Sequence, residues 1–435
     1  MNNRIRENDR LTDWFAGNAS VLSGLDPASP LDDLEPLREI VGSARVVAIG
    51  ENSHYIREFS LVRHRILRFL VERCGFTVLA HESGFSEGFT MASWIEGAGS
   101  DEDLDHLVDS TIAVGLARPA EARAMLRWMR ERNRRADTPV RFAGIDLPMA
   151  AGSLLPNLLP LREYLTDVDP DSVPLLNTAL GIAERTAGTS LAQAAPAWSE
   201  LDPAEQDALT SALARLLFRF QSLAPQHVAH SDQRRYDTAL WQLRGACQAD
   251  YHLRAMFGLI SGTPLSGDMS VRDIYMAESV RWHLDHSEPG TRIVLLAHNA
   301  HIQKTPAYYG GPVLTALPTG QHLQQMLGDD YVSIGVTSGG GDTAALYPGG
   351  AEPFGISLQN VALEAPEPGS IEGLFASADL GLSLVNLREA PRSGQAETEP
   401  DRIRMDSEYV HTPVLDAFDA VVHVPASTVA DDLGF

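Results

Sequence analysis

Val46-Val47-Ala48-Ile49-Gly50-Glu51-Asn52-Ser53-His54 runs from an apolar tetrapeptide into a polar turn. Its β-branched residues suit a strand buried on both faces. Beyond the turn, Phe59, Val62, Ile66, Phe69 and Leu70 recur at helical spacing, and Arg73 followed by Gly75 supplies a stop signal. Strand, polar turn and helix together are the opening of a βαβ unit. Similar apolar runs follow at Thr77-Val78-Leu79-Ala80, Val140-Arg141-Phe142-Ala143 and Ile293-Val294-Leu295-Leu296, each ending in polar residues. The alternation predicts an α/β protein with a three-layer core, a mostly parallel central sheet flanked by helices. Shorter strand candidates occupy Tyr331 to Val336 and Ala420 to Val424.

No strand-like run interrupts residues 151–285. Instead, Asp202-Pro203-Ala204-Glu205 resembles a helix start, followed by the stripe Leu209, Leu213, Leu216, Leu217 and Phe220. The expected organisation is therefore a catalytic core built from residues 1–150 and 286–435, with 151–285 as a helical lobe or insertion.

Lys and Arg number 34 against 58 Asp and Glu, a net charge of −24, which repels phosphate backbones and anionic membranes. Neither nucleic acid nor membrane is an expected partner, whereas the field tolerates a cationic ligand. Cys74 and Cys247 are too few for a disulfide framework. No apolar stretch reaches the length of a membrane span, and the first residues lack a signal-peptide core, so the expected location is cytoplasmic.

Active sites in parallel sheets lie beyond the carboxyl ends of the strands. The first strand delivers Glu51 and His54, a pairing in which a carboxylate orients an imidazole and stabilises its charged form while it accepts a proton from water. The simpler alternative is that Ser53 and His54 only cap the next helix. The second strand ends in His81-Glu82-Ser83, the third in Gly144-Ile145-Asp146, and the fourth in Ala297-His298-Asn299-Ala300-His301. Their convergence on one edge favours a site. Arg63, on the first helix, is placed to border that edge or to be a solvated charge beside Arg65 and Arg68.

Two other chemistries compete. Gly84-Phe85-Ser86-Glu87-Gly88 matches the G-x-S-x-G nucleophile elbow, with Asp146 and His301 downstream in triad order, although it follows an earlier strand than an elbow normally does. Glu51, His54, Glu82, His298 and His301 are also possible ligands for a metal. Here Glu51 and His54 flank a strand-to-helix turn, unlike the facing helices of di-metal bundles, so the preferred reading has no metal or other cofactor.

Beyond these motifs, the segments Val47 to His54, Arg63-His64, Ala80 to Phe85, Gly144-Ile145-Asp146 and Ala297 to Pro306 together resemble the erythromycin esterase family, most of all its type II branch. The likeness continues through Ile260-Ser261-Gly262, Gly267-Asp268-Met269, Thr343 to Pro348 and Arg404-Met405-Asp406-Ser407. One departure is His81, where the type II pattern carries an apolar or aromatic residue. The resemblance implies hydrolysis of the lactone ester of 14-membered macrolides by base-activated water, without a metal or covalent intermediate, and hence antibiotic inactivation. It also implies His54 as base and Glu51 as its orienting carboxylate, with Arg63, Glu82, His298 and His301 around the ester. Asp146 and Asn299 are expected to contact substrate. Two further readings remain open: the same fold acting on another polyketide or acylated sugar, and a non-catalytic macrolide-binding protein.

Overall fold

The computed structural model describes residues 2–308, 315–349, 353–392, 399–431 and 433. Its centre is an eight-stranded sheet of β1 (Ser20–Val21), β2 (Val46–Ile49), β3 (Val78–Gly84), β4 (Arg141–Asp146), β5 (Ile293–Leu296), β6 (Tyr331–Ser338), β7 (Ser383–Asn386) and β8 (Ala420–Val424), in spatial order β1-β7-β8-β6-β2-β5-β3-β4. From β8 to β4 every neighbouring pair is parallel; β7 and β1 add an antiparallel edge. β1 and β7 escape sequence reading because they are short and carry no marked alternation.

Successive residues of β2 point to opposite faces, and each face has its own core. Val47 and Ile49 pack with Leu79, Val294, Leu296 and the apolar stripe of α1 (Arg57–Cys74), whose stripe matches the expected helix. Val46 and Ala48 pack with Ala80, Ile145, Ile293, Leu295 and Met276 and Val280 of α4 (Ser270–Asp285). These are the three layers the periodicity implies. A third core joins Leu158, Leu176, Trp198, Leu213, Phe220 and Leu243 across the helices that follow β4, including Pro203–Ser222 and α3 (Gln233–Ile260). Tyr275 and Trp282 of α4 belong to that core, so α4 is shared between the sheet layer and the helices. Among the described residues, no helix is long and apolar enough to cross a membrane.

The β3–β4 pairing contains an irregularity that sequence does not foretell. Their register shifts between His81 and Gly84, so that β3 carries an extra residue opposite β4. Such bulges re-aim side chains at sheet margins, and Glu82 lies within this one. The next element, α2 (Phe85–Ile95), starts directly from the end of β3.

Candidate active site

At the end of β2 the chain turns sharply, with Tyr55 at φ 60°. The turn brings the Nδ1 of His54 within 2.8 Å of Glu51 Oε1. The other Glu51 oxygen is bonded by Arg63 Nη1, from the second turn of α1. Burial alone would raise the Glu51 pKa, but the Arg63 guanidinium and His54 overcome it and hold the carboxyl down to about 2. For His54, burial opposes the charged form; the bond to Glu51 and the charges of Glu51, Glu82 and Asp406 outweigh it and raise the pKa. With Nδ1 assigned as donor to Glu51, Nε2 is the proton-accepting nitrogen, and the side chain keeps 22% of its surface exposed.

β5 supplies the facing imidazole. His298 caps the short helix α5 (Asn299–Ile302) through Nδ1, which accepts the Ala300 N–H at 3.1 Å, so its ring hydrogen is assigned to Nε2. Its ring centroid lies 5.2 Å from that of His54. Burial, with the neighbouring His54, disfavours the charged ring and lowers the His298 pKa. His301 behaves oppositely. Although burial disfavours its charge, Asp273 at 2.7 Å from Nδ1 and Glu82 at 3.5 Å from Nε2 raise its pKa.

Glu82 accepts the His298 N–H at 2.8 Å and an Arg272 Nη2 hydrogen at 3.2 Å. Its burial would raise its pKa, yet the surrounding histidines and Arg272 hold it far below the ordinary carboxylate range. Arg272, in the first turn of α4, also grips Asp146 in a bidentate pair, with Nε at 2.9 Å from Oδ1 and Nη2 at 2.6 Å from Oδ2. Two carboxylates on neighbouring strands are thus bridged by one guanidinium.

Two expected substrate contacts take different positions. Asp146 is fully buried, and its oxygens are bonded by Arg272 and the Leu147 N–H. Asn299 is turned into the sheet, where its amide donates to Val336 O at 2.8 Å and accepts the Val336 N–H at 3.2 Å, lashing α5 to β6. Arg63 likewise sits behind Glu51, with only 9% of its side chain exposed.

The competing chemistries find little geometry. Ser86 is in the first turn of α2, and its hydroxyl donates to Asn157 Oδ1 at 2.7 Å, an amide and not the imidazole a nucleophile elbow needs. Glu51 and Glu82, two of the candidate metal ligands, are already bonded by arginines, His54 and the backbone. His81 stacks on Phe142 with centroids 5.9 Å apart and borders a small cavity with Glu51 and Arg63; burial and the Arg63 charge lower its pKa to about 4, so it fills the place of an aromatic residue as a neutral ring.

Arg272, Asp273 and Asp406 escaped the sequence reading. Asp273 shares the helical spacing of the buried residues Met276, Ala277, Val280 and Leu284, and a carboxylate on a buried stripe is a legible signal of a paired charge. Asp406 occupies the turn between strands Arg402–Met405 and Glu408–His411 at φ 53°, and its N–H bonds Asn52 O at 2.8 Å. Nothing local announces that this distant turn returns to the end of β2.

An erythromycin esterase family model matches residues 71–427. Erythromycin esterase type II of Escherichia coli is 39% identical over 97% of this chain and 99% of its own length. Type I of the same organism is 31% identical over 91% of this chain and 94% of its own. Among solved structures, a mutant of the erythromycin esterase EreC in its open conformation superposes with a TM-score of 0.86 at 28% identity, covering 96% of this chain and 99% of that one. The strand-end cluster, the fold and these matches agree: the chain belongs to the erythromycin esterase family.

Proposed function

We propose that the protein hydrolyses the lactone ester of 14-membered macrolides such as erythromycin, inactivating the antibiotic, with His54 as general base. The observation that carries this reading is the Glu51–His54 pair, whose Nδ1 is tied to a carboxylate while Nε2 is left to accept a proton. In the proposed reaction, His54 Nε2 takes a proton from water as the oxygen attacks the ester carbonyl. The resulting oxyanion is met by Arg272, whose Nη1 is not used in its bonds to Asp146 and Glu82, with His301 adding positive charge nearby. The C–O bond of the ring then breaks. The leaving alkoxide receives the proton held by the His54 imidazolium, giving the hydroxy acid and restoring the base.

General-base help contributes roughly a hundred- to ten-thousandfold, and preorganised donors a comparable share. In this scheme Glu51 orients His54 and Arg63 anchors Glu51. Glu82 holds His298 and His301 in place, and Asp146 and Asn299 act through Arg272 and α5. Incubation with erythromycin should give a product heavier by one water, read by mass spectrometry, and His54→Asn should abolish it while the protein stays folded. Unchanged drug with measurable binding would favour sequestration; neither turnover nor binding would point to another ester.

A further inference from the structure

The segment Gly84-Phe85-Ser86-Glu87-Gly88 acquires another use once Ser86 is seen bonded to Asn157. Glu87 is buried at the first turn of α2, and its Oε1 accepts the Met149 N–H at 2.6 Å. Both glycines make that reach possible. A Cβ on Gly84 would lie 2.2 Å from Glu87 Oε2, and one on Gly88 would lie 2.3 Å from the Gly144 nitrogen, so the spacing lets α2 press against β4.

What Glu87 holds is unusual. Met149, Ala150 and Ala151 have φ values of 38°, 46° and 64°, three successive L-residues in the left-handed region. Such backbone persists only where its surroundings over-determine it, and it gathers at functional sites. The turn follows directly from the site: the Leu147 N–H bonds Asp146 Oδ1 at 2.7 Å, and the Ala150 N–H bonds Leu147 O at 2.8 Å. A closed circuit results. It runs from Glu82 on β3 through Arg272 to Asp146 on β4, along the left-handed turn to Met149, and back through Glu87 to the helix that β3 enters.

We propose that Glu87 is a positioning residue for Arg272: by pinning the left-handed turn it fixes the Asp146 carboxylate that aims the guanidinium. This rests on the proposed role of Arg272 at the reacting ester. A carboxyl or an amide at position 87 accepts the Met149 N–H; a methyl does not. Without the bond, the turn relaxes toward ordinary backbone and Asp146 shifts with it.

The test compares Glu87→Ala, Glu87→Gln and the double variant Glu87→Ala/Ala150→Gly in erythromycin hydrolysis and in hydrogen exchange of the Leu147–Gly152 amides. Glu87→Ala should lower kcat roughly 10- to 100-fold with KM within about threefold, as misplacement of a catalytic group does. Glu87→Gln should stay within about threefold of the parent. Glycine at 150 tolerates the left-handed conformation and should recover about fivefold of the lost rate. A space-filling role for Glu87 would show no such rescue. Amide exchange in the turn should quicken in Glu87→Ala and remain slow in Glu87→Gln, a readout that survives even if the parent protein leaves erythromycin intact and the lactone assignment fails. Parent-like kcat and exchange in Glu87→Ala, impairment of Glu87→Gln equal to that of Glu87→Ala, or absence of rescue would each overturn the proposal.

Discussion

His54 is held between opposing influences: burial discourages its charge, while Glu51, Glu82 and Asp406 encourage it, and the carboxylates prevail. Only the neutral ring is a base, so kcat/KM should rise as pH climbs through the raised His54 pKa. Glu51→Gln removes the largest of those charges. The acid limb of the profile should then move to lower pH while the plateau falls by about 10- to 100-fold, because the orienting carboxylate is lost. A limb that stays in place would detach Glu51 from His54. Arg272 offers a complementary test. Its grip on Asp146 uses the planar fork, which lysine lacks, so Arg272→Lys should retain the charge yet lose most of the rate. Recovery of parent-like kcat in the lysine variant would reduce Arg272 to a point charge. At this scale, Glu51, His54, Glu82, His298 and His301 are legible because each follows an apolar run. Arg272 is not, because its partners lie 126 and 190 residues away in the chain.

Elements explain why those residues meet. The β3 bulge carries Glu82 toward the end of β5, and the left-handed turn carries the chain from Asp146 into the helices beyond β4. Left-handed backbone costs roughly 1–2 kcal/mol per L-residue, so the three-residue turn stores on the order of 3–6 kcal/mol that its contacts must offset. Close packing of α2 on β4 belongs to the same arrangement. Gly88→Ala would drive a methyl into the backbone of Gly144 and should destabilise the fold by roughly 1–3 kcal/mol, measured by urea unfolding. Ser86→Ala, which removes only the bond to Asn157, should lower stability by about 1 kcal/mol and leave kcat within about threefold. Loss of turnover in that variant would revive the nucleophile elbow. The G-x-S-x-G pattern thus shows how a motif matches in sequence and serves packing in the fold: its glycines answer to neighbouring backbone, which a linear reading does not contain.

Over the whole molecule, buried carboxyl groups pull the pH dependence of stability in two directions. Glu51 has its folded pKa depressed from 4.5 to about 2, so its contribution is present above 4.5 and is lost as pH falls toward 2. Glu87 is displaced the other way, to about 7, because burial and then the charge of Asp146 disfavour its ionised form, with the backbone bond from Met149 only partly opposing them. Its contribution is complete below 4.5 and is lost as pH rises through 7, on the order of 3 kcal/mol for this displacement. Thermal unfolding of the parent should therefore weaken between about pH 4.5 and 7 relative to Glu87→Gln, whose amide does not titrate. Parallel curves would show that Glu87 does not hold its proton in the folded state.

The layered α/β core, the family and the polar strand ends are legible in the chain alone. Buried parallel strands advertise themselves as apolar runs, and their carboxyl ends are where the chain must turn polar. Which of these polar residues bond to one another depends on the folded arrangement. Asp146 and Asn299 look like ligand contacts in sequence, yet fold into bonds with Arg272 and Val336. Asp406 and Glu87 look incidental, yet reach the ends of β2 and β4. The physical reason is that periodicity reports which way a residue faces within its own element, whereas a hydrogen bond between distant segments depends on how those elements are stacked.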